Sequence, residues 1–323
     1  MLTFKINKNN TAYEVAKCDK KATGTVTIPD TYSGKAVVSI KAQAFYKRIN
    51  MTDVIIPDSV ERIGAGAFAG CAGLTNVVIP DSVKKIGNKA FYRCTGLTTI
   101  VIPGSVEEIG NHAFCYCAGL TNIVIPDSVK KAGELIFACC TSLKSAVLSK
   151  NMKISAGGGA FSGCTSLVSV TIPDGVKGIG KFCFHRCTGL ASVTIPKSLT
   201  EYGWAFNDCT GLTGVTFQKG LKVIDQLAFH NCTGLTGITI PEGVEEIKFA
   251  AFKGCTGLTS VTIPKTVMKM DLAVFKNCDK QLTINVLGLC EKPETWPSYW
   301  SGDSKCKVIW DFGGKNIVEE AGA

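Results

Sequence analysis

Along most of the chain, apolar and polar positions recur in a single phrase. One copy reads Leu97-Thr98-Thr99-Ile100-Val101-Ile102-Pro103-Gly104-Ser105-Val106-Glu107-Glu108-Ile109-Gly110-Asn111-His112-Ala113-Phe114-Cys115-Tyr116-Cys117. The alternation Leu97-x-x-Ile100-x-Ile102 predicts a short strand with one buried face, and Pro103, lacking an N–H, ends it. Val106-x-x-Ile109-Gly110 and the turn through Ala113, Phe114 and Cys117 then carry the chain back along the opposite side, with their apolar members facing the same core. Cysteine holds one phase at 71, 94, 117, 140, 164, 187, 209, 232, 255 and 278, in steps of 22 to 24 residues. Phenylalanine holds another at 45, 68, 91, 114, 137, 161, 184, 206, 229, 252 and 275, eleven of the sixteen in the chain. Such self-similarity means stacked units, each able to bury its apolar side only against a neighbour. At about 4.8 Å per turn, ten strands make a parallel sheet roughly 45 Å long.

Two copies depart from the period. Between Leu148 and Phe161 a residue is gained, Ser149 replaces the proline and Gly157-Gly158-Gly159 appears. Near Tyr202-Gly203-Trp204 a residue is lost, and Gln218 stands where the next proline would be. Local bulges are expected at both places, without a domain boundary.

Ile-Pro, Ile-Gly, Ala-Phe and Cys at fixed offsets give the consensus L-x-x-V-x-I-P-x-x-V-x-x-I-G-x-x-A-F-x-x-C, which closely resembles the BspA-like, or Treponema-type, leucine-rich repeats. The resemblance implies a leucine-rich-repeat solenoid, right-handed and mostly β with short helical turns, in about eleven 23-residue repeats. It divides the chain into N-terminal capping strands over 1–44, repeats over 45–282, and a Cys/Trp-rich cap and tail over 283–323. Members of the family are typically surface or secreted adhesins, so the resemblance implies a bacterial cell-surface or secreted location and a protein partner, such as a host matrix or cell-surface protein.

If the two apolar strand positions face inward, the residue between them faces out. These residues are Ile55, Val78, Val101, Val124 and Val147, followed by Thr171, Thr194, Thr216, Thr239 and Thr262. The row is therefore aliphatic in its first half and threonine in its second, and it is the expected partner-binding surface. Sheet propensity alone also favours β-branched residues at such positions. In the tail, Trp296, Trp300 and Trp310 are suited to covering the open end of the stack.

Composition narrows the function classes. The net charge of +9 comes from 35 basic and 26 acidic residues spread without a basic cluster, which argues against nucleic acid. The longest uncharged runs, among them residues 63–80 and 154–173, are interrupted by the repeat's own glycines, polar residues and prolines, so no membrane insertion is expected. The N-terminus Met1-Leu2-Thr3-Phe4-Lys5 shows no apolar signal core, which fits either a cytoplasmic chain or a trimmed fragment of an exported one. Ladder cysteines read as small apolar core residues, and Cys183-Phe184-His185-Arg186-Cys187 reads as core packing with an exposed histidine, so no metal and no cofactor are expected. Cys290 and Cys306 lie off the ladder and would form a disulfide closing the cap in an oxidising compartment. His112, His185 and His230 have no nucleophile partner, and no catalytic residues are expected.

Successive pairs Glu61-Arg62, Lys84-Lys85, Glu107-Glu108 and Lys130-Lys131 place acid beside base across repeats, an arrangement that suits weak ion pairs. The functional expectation is a protein-binding scaffold and not an enzyme. The alternative is a structural, self-assembling component of an envelope or particle, the oligomeric state being open.

Overall fold

A computed structural model describes residues 1–154, 158–279, 281–302, 306–312 and 314–321. They form two compact units, Met1–Leu167 and Val168–Ala323, so the boundary falls just after the irregular repeat where only a bulge was expected. Gly157 lies outside the described residues; Gly158 and Gly159 both take left-handed backbone. The coil counts about 13 turns, the terminal strands adding to those marked by phenylalanine.

Most repeats contribute two strands. In the first unit the Ile-Pro strands Gly24–Thr27, Met51–Ile55, Asn76–Val78 and Thr99–Val101 stack in parallel, and Asn122–Val124 pairs with Ser145–Val147 in the same way. Proline follows each of them except Ser145–Val147, where Ser149 takes its place, and from Pro57 to Pro126 its carbonyl accepts the amide three residues on, as in Val106 N to Pro103 O at 3.1 Å. The Ile-Gly segments, expected only to return the chain, are themselves strands. Arg62–Ile63, Lys85–Ile86, Glu108–Ile109, Lys131–Ala132 and Lys153–Ile154 form a second parallel ladder that continues Lys35–Ile40 and Tyr13–Cys18. Gly110 keeps this ladder tight, because a Cβ there would stand 2.4 Å from the Asn88 amide nitrogen. The antiparallel strand Leu2–Ile6 covers its first edge.

The Ala-Phe turns contain no helix among the described residues, which corrects the expectation of short helical turns. Left-handed residues recur four apart, as at Lys89 (φ 56°) and Arg93 (φ 58°), and the amides between them alternate their partners. Tyr92 N donates within the turn to Lys89 O at 3.1 Å, whereas Phe91 N donates to Ala113 O of the next turn at 2.7 Å. Each left-handed non-glycine residue costs about 1 kcal/mol, which the inter-turn bonds offset. A helix would spend those donors within its own turn and leave the neighbour unbonded.

Inside, the Phe rings stack at 4.8–5.4 Å with interplanar angles of 3–18° from Phe45 through Phe161. In the second unit the stack runs from Phe184 through Phe275 at 5.4–5.7 Å. Beside it, at least nine of the ten ladder thiols donate to a phenylalanine carbonyl of the preceding turn, as from Cys94 Sγ to Phe68 O and from Cys117 Sγ to Phe91 O, both at 3.1 Å. Burial pushes Cys71 up to about 11 and Cys209 and Cys278 up to about 12. Thiolate is the reactive form, so these cysteines are inert in the folded state. Of the sixteen cysteines fourteen are buried, Cys139 is half-buried and Cys290 exposed. A thiol-reactive probe should therefore modify Cys290 at once and Cys139 slowly, the remainder reacting only after denaturant is added; fast native labelling of the ladder would contradict this packing.

Candidate docking face

The pleat decides which side chains face out. In Asn76-Val77-Val78, Val77 is 2% exposed while Val78 is 68% exposed, and the same alternation sets Ile55 at 54%, Val101 at 76% and Val124 at 61%. Cross-strand register puts Ile55 beside Val78, Val78 beside Val101, and Val124 beside Val147, which is half-buried. Thr121 N reaches Thr98 O at 3.2 Å, joining the two short ladders at their margin.

The flanking outward residues are Asp53, Asn76, Thr99, Asn122 and Ser145, so one carboxylate is the sole charge in these two columns. On the far side of the aliphatic row from them come the prolines. A step earlier in each strand the hydroxyls of Thr75, Thr98 and Thr121 each donate to the carbonyl of the equivalent residue one turn back, at 3.3 Å. The face is thereby β-branched and carries few charges, Asp53 at one end and the exposed Lys144, next after Thr121, at the other.

In the second unit Thr194 lies beside Thr216 and Thr239 beside Thr262. Thr171, Thr194, Thr216 and Thr239 are exposed and Thr262 is half-buried. The threonine row is thus outward as well, but it offers methyl and hydroxyl groups where the first unit offers aliphatic side chains.

Other candidates resolve into structure. Trp296, Trp300 and Trp310 are at most 3% exposed and pack on one another, with centroids of Trp296 and Trp300 5.1 Å apart. Trp300 meets Phe275 edge-on at 6.1 Å, and the Ala273 amide donates to Tyr299 O at 2.9 Å, as Ala250 one turn back donates to Leu272 O of the next turn. Cys290 is exposed and Cys306 buried, both as free thiols. Cys183 and Cys187 are fully buried. His185 and His230 flank the buried Asn207, whose Oδ1 lies 2.6 Å from His230 Nδ1 and whose Nδ2 lies 3.1 Å from His185 Nδ1. Burial, then the nearby Lys253, holds His230 below the usual histidine range. That bridge escaped the sequence because Asn207 shows no periodic partner.

The paired charges meet partly as expected. Glu108 binds Lys85 at 2.6 Å and Lys131 at 3.1 Å, and Lys130 lies 3.9 Å from Glu107. Arg62 turns instead to Glu14 of the N-terminal strands, at 3.1 Å, because its neighbour in register is Lys85.

The repeat profile described as BspA type leucine rich repeat region matches residues 38–158 and 154–282, in 6 copies. The chain belongs to the BspA-type leucine-rich repeat family. Among solved members, a leucine-rich repeat protein from Bacteroides ovatus is 28% identical, with a TM-score of 0.55 over 95% of this chain and 98% of that one. The T. pallidum leucine-rich repeat protein is 31% identical, with a TM-score of 0.55 over 58% of this chain and 87% of its own. The pneumococcal vaccine antigen PcpA, at 19% identity and a TM-score of 0.51 over 88% of this chain and 85% of its own, shares the fold. No curated protein matches the chain. As a BspA-type protein, the chain is a repeat scaffold, and no helix among its described residues is long and apolar enough to cross a membrane.

Proposed function

We propose that this BspA-type scaffold binds a protein partner at a bacterial cell surface, through the strand face of its first unit. The observation that carries the reading is the row Ile55, Val78, Val101 and Val124, four aliphatic side chains more than half exposed on successive turns. Scattered exposed apolar residues are ordinary, whereas a contiguous row is a docking feature. The outward threonines from Thr171 to Thr262 give the second unit a more polar strand face of its own.

Replacing Val78, Val101 and Val124 together by Lys tests this. The substitutions point into solvent, so the fold is kept, and retention of a matrix or cell-surface protein seen with the wild-type chain should be lost. Equal retention by both would assign the β-branched row to sheet propensity alone. If instead the wild-type chain sediments as an oligomer and the variant as a monomer, the row is a self-assembly surface.

Because the face carries few charges, its affinity should be insensitive to ionic strength. A tenfold rise in salt should change Kd by less than about threefold, since screening acts on charge pairs. A steep salt dependence would move the docking site to the charged rows.

A further inference from the structure

The turn side of the first unit has the opposite chemistry. Row and phase bring Tyr46, Lys47, Lys89, Tyr92, Arg93 and Tyr116 onto one face, which residue spacing read as scattered single charges. The Arg93 guanidinium stands 5.3 Å from the centroids of both Tyr92 and Tyr116, whose rings meet edge-on at 5.8 Å. Lys89 Nζ lies 5.8 Å from the Tyr92 ring, and Lys47 Nζ lies 5.3 Å from Tyr46. All three cations are exposed, and among the described residues none has a carboxylate ion-pair partner. Between the Tyr46 turn and the Tyr92 turn lies a single turn, whose corresponding residues are the buried Ala69 and the half-buried Gly70, with the Lys47 stem packed against Gly70.

We propose that this face binds an acidic polysaccharide, a polymer of hydroxyl-bearing rings carrying sulfate or carboxylate groups. Uncompensated cations supply the attraction for the anionic groups. Phenol hydroxyls and the exposed amide of Gln43 supply neutral hydrogen bonding for sugar hydroxyls. Nucleic acid fits less well. Tyr92 already carries Lys89 and Arg93 about its ring and Tyr116 against its edge, so it offers no open platform for base stacking, and three cations are few for a phosphate backbone.

The test uses the full chain and its Lys89→Gly/Arg93→Gly variant. Both positions have left-handed backbone, and the preceding turn carries Gly66 and Gly70 at the same two places, so glycine removes the side chains without strain. The control variant, Lys84→Gln/Lys219→Gln, removes the same charge from exposed sites elsewhere. Binding is measured to heparin as the sulfated probe, to polygalacturonate as the carboxylated one, and to dextran, polyglutamate and oligo-dT.

The wild type should bind heparin or polygalacturonate, with log affinity falling against log salt at a slope of roughly −2, set by about three released counterions. The glycine variant should lose about tenfold or more, the scale of a charge-assisted contact, and the control less than about twofold. An equal loss in both variants would reduce the effect to net charge and overturn the proposal. Binding of dextran as tight as that of the acidic glycans, or tighter binding of polyglutamate or oligo-dT, would overturn it as well.

Discussion

Phe114→Ala is expected to destabilise the first unit by about 3–5 kcal/mol, the range for deleting a fully buried aromatic ring. Phe114 is 0% exposed and stacks on Phe91 at 5.2 Å and 3° and on Phe137 at 5.1 Å and 6°. Its removal opens a cavity and breaks two ring contacts at once. In an array where each turn touches only its neighbours, stability is a sum of intrinsic and interface contributions, so position in the stack matters. Phe45 has one ring neighbour in the ladder, Phe68 at 4.8 Å. Phe45→Ala should therefore cost less than Phe114→Ala, by roughly one aromatic pair or about 1 kcal/mol. Urea unfolding of the two variants measures the difference. Equal losses would mean that the rings act as independent core residues and not as a stack.

That stack was legible beforehand because period, residue type and burial agree: a phenylalanine every turn can only meet other phenylalanines when turns align. The outward row was legible for the same reason, since Val101 sits between Ile100 and Ile102, and pleating leaves it no other direction. Less was readable where a residue's role depends on a partner without periodic signature. The second strand of a repeat, as in Glu108–Ile109, spans two residues, too few to show alternation. The ladder cysteines read as small apolar fillers, although the recurring offset of 26 residues between Cys94 and Phe68, and between Cys117 and Phe91, marks a thiol donating to one carbonyl. An alanine would fill that space and leave the carbonyl with one bond fewer. The basic-aromatic face stayed hidden because Lys47, Lys89 and Arg93 are dispersed in sequence and converge only once the turns stack.

The shortened repeat shows how a lost residue is accommodated, and it sets a second large expected effect. Where the Ile-Gly pair normally stands, the turn reads Tyr202-Gly203, and the amides of both point at the carboxylate of Asp225, one turn on. Asp225 Oδ2 accepts Tyr202 N at 2.9 Å and Gly203 N at 2.8 Å, while Oδ1 accepts Gln226 N at 2.9 Å and Lys248 Nζ at 3.1 Å. At 8% exposure the carboxylate is buried, yet it is satisfied on both oxygens. Elsewhere the equivalent amide finds a backbone carbonyl, as Gly110 N finds Ile86 O at 2.8 Å. The side chain of Asp225 thus replaces a ladder acceptor that the deletion moved out of reach. Asp225→Ala leaves two amides and the Lys248 ammonium without this acceptor, and should cost about 3 kcal/mol. Asp225→Asn retains an acceptor of the same shape and should cost less, about 1–2 kcal/mol. Amide hydrogen exchange locates the effect: Tyr202 and Gly203 should exchange faster in the alanine variant, while Phe252 N, bonded to Val274 O at 3.0 Å farther along the unit, keeps its protection. Unchanged exchange at Tyr202 and Gly203 would show that the shortened turn holds by its own packing, with Tyr202, fully buried and donating its hydroxyl to Val223 O at 3.1 Å, as the anchor.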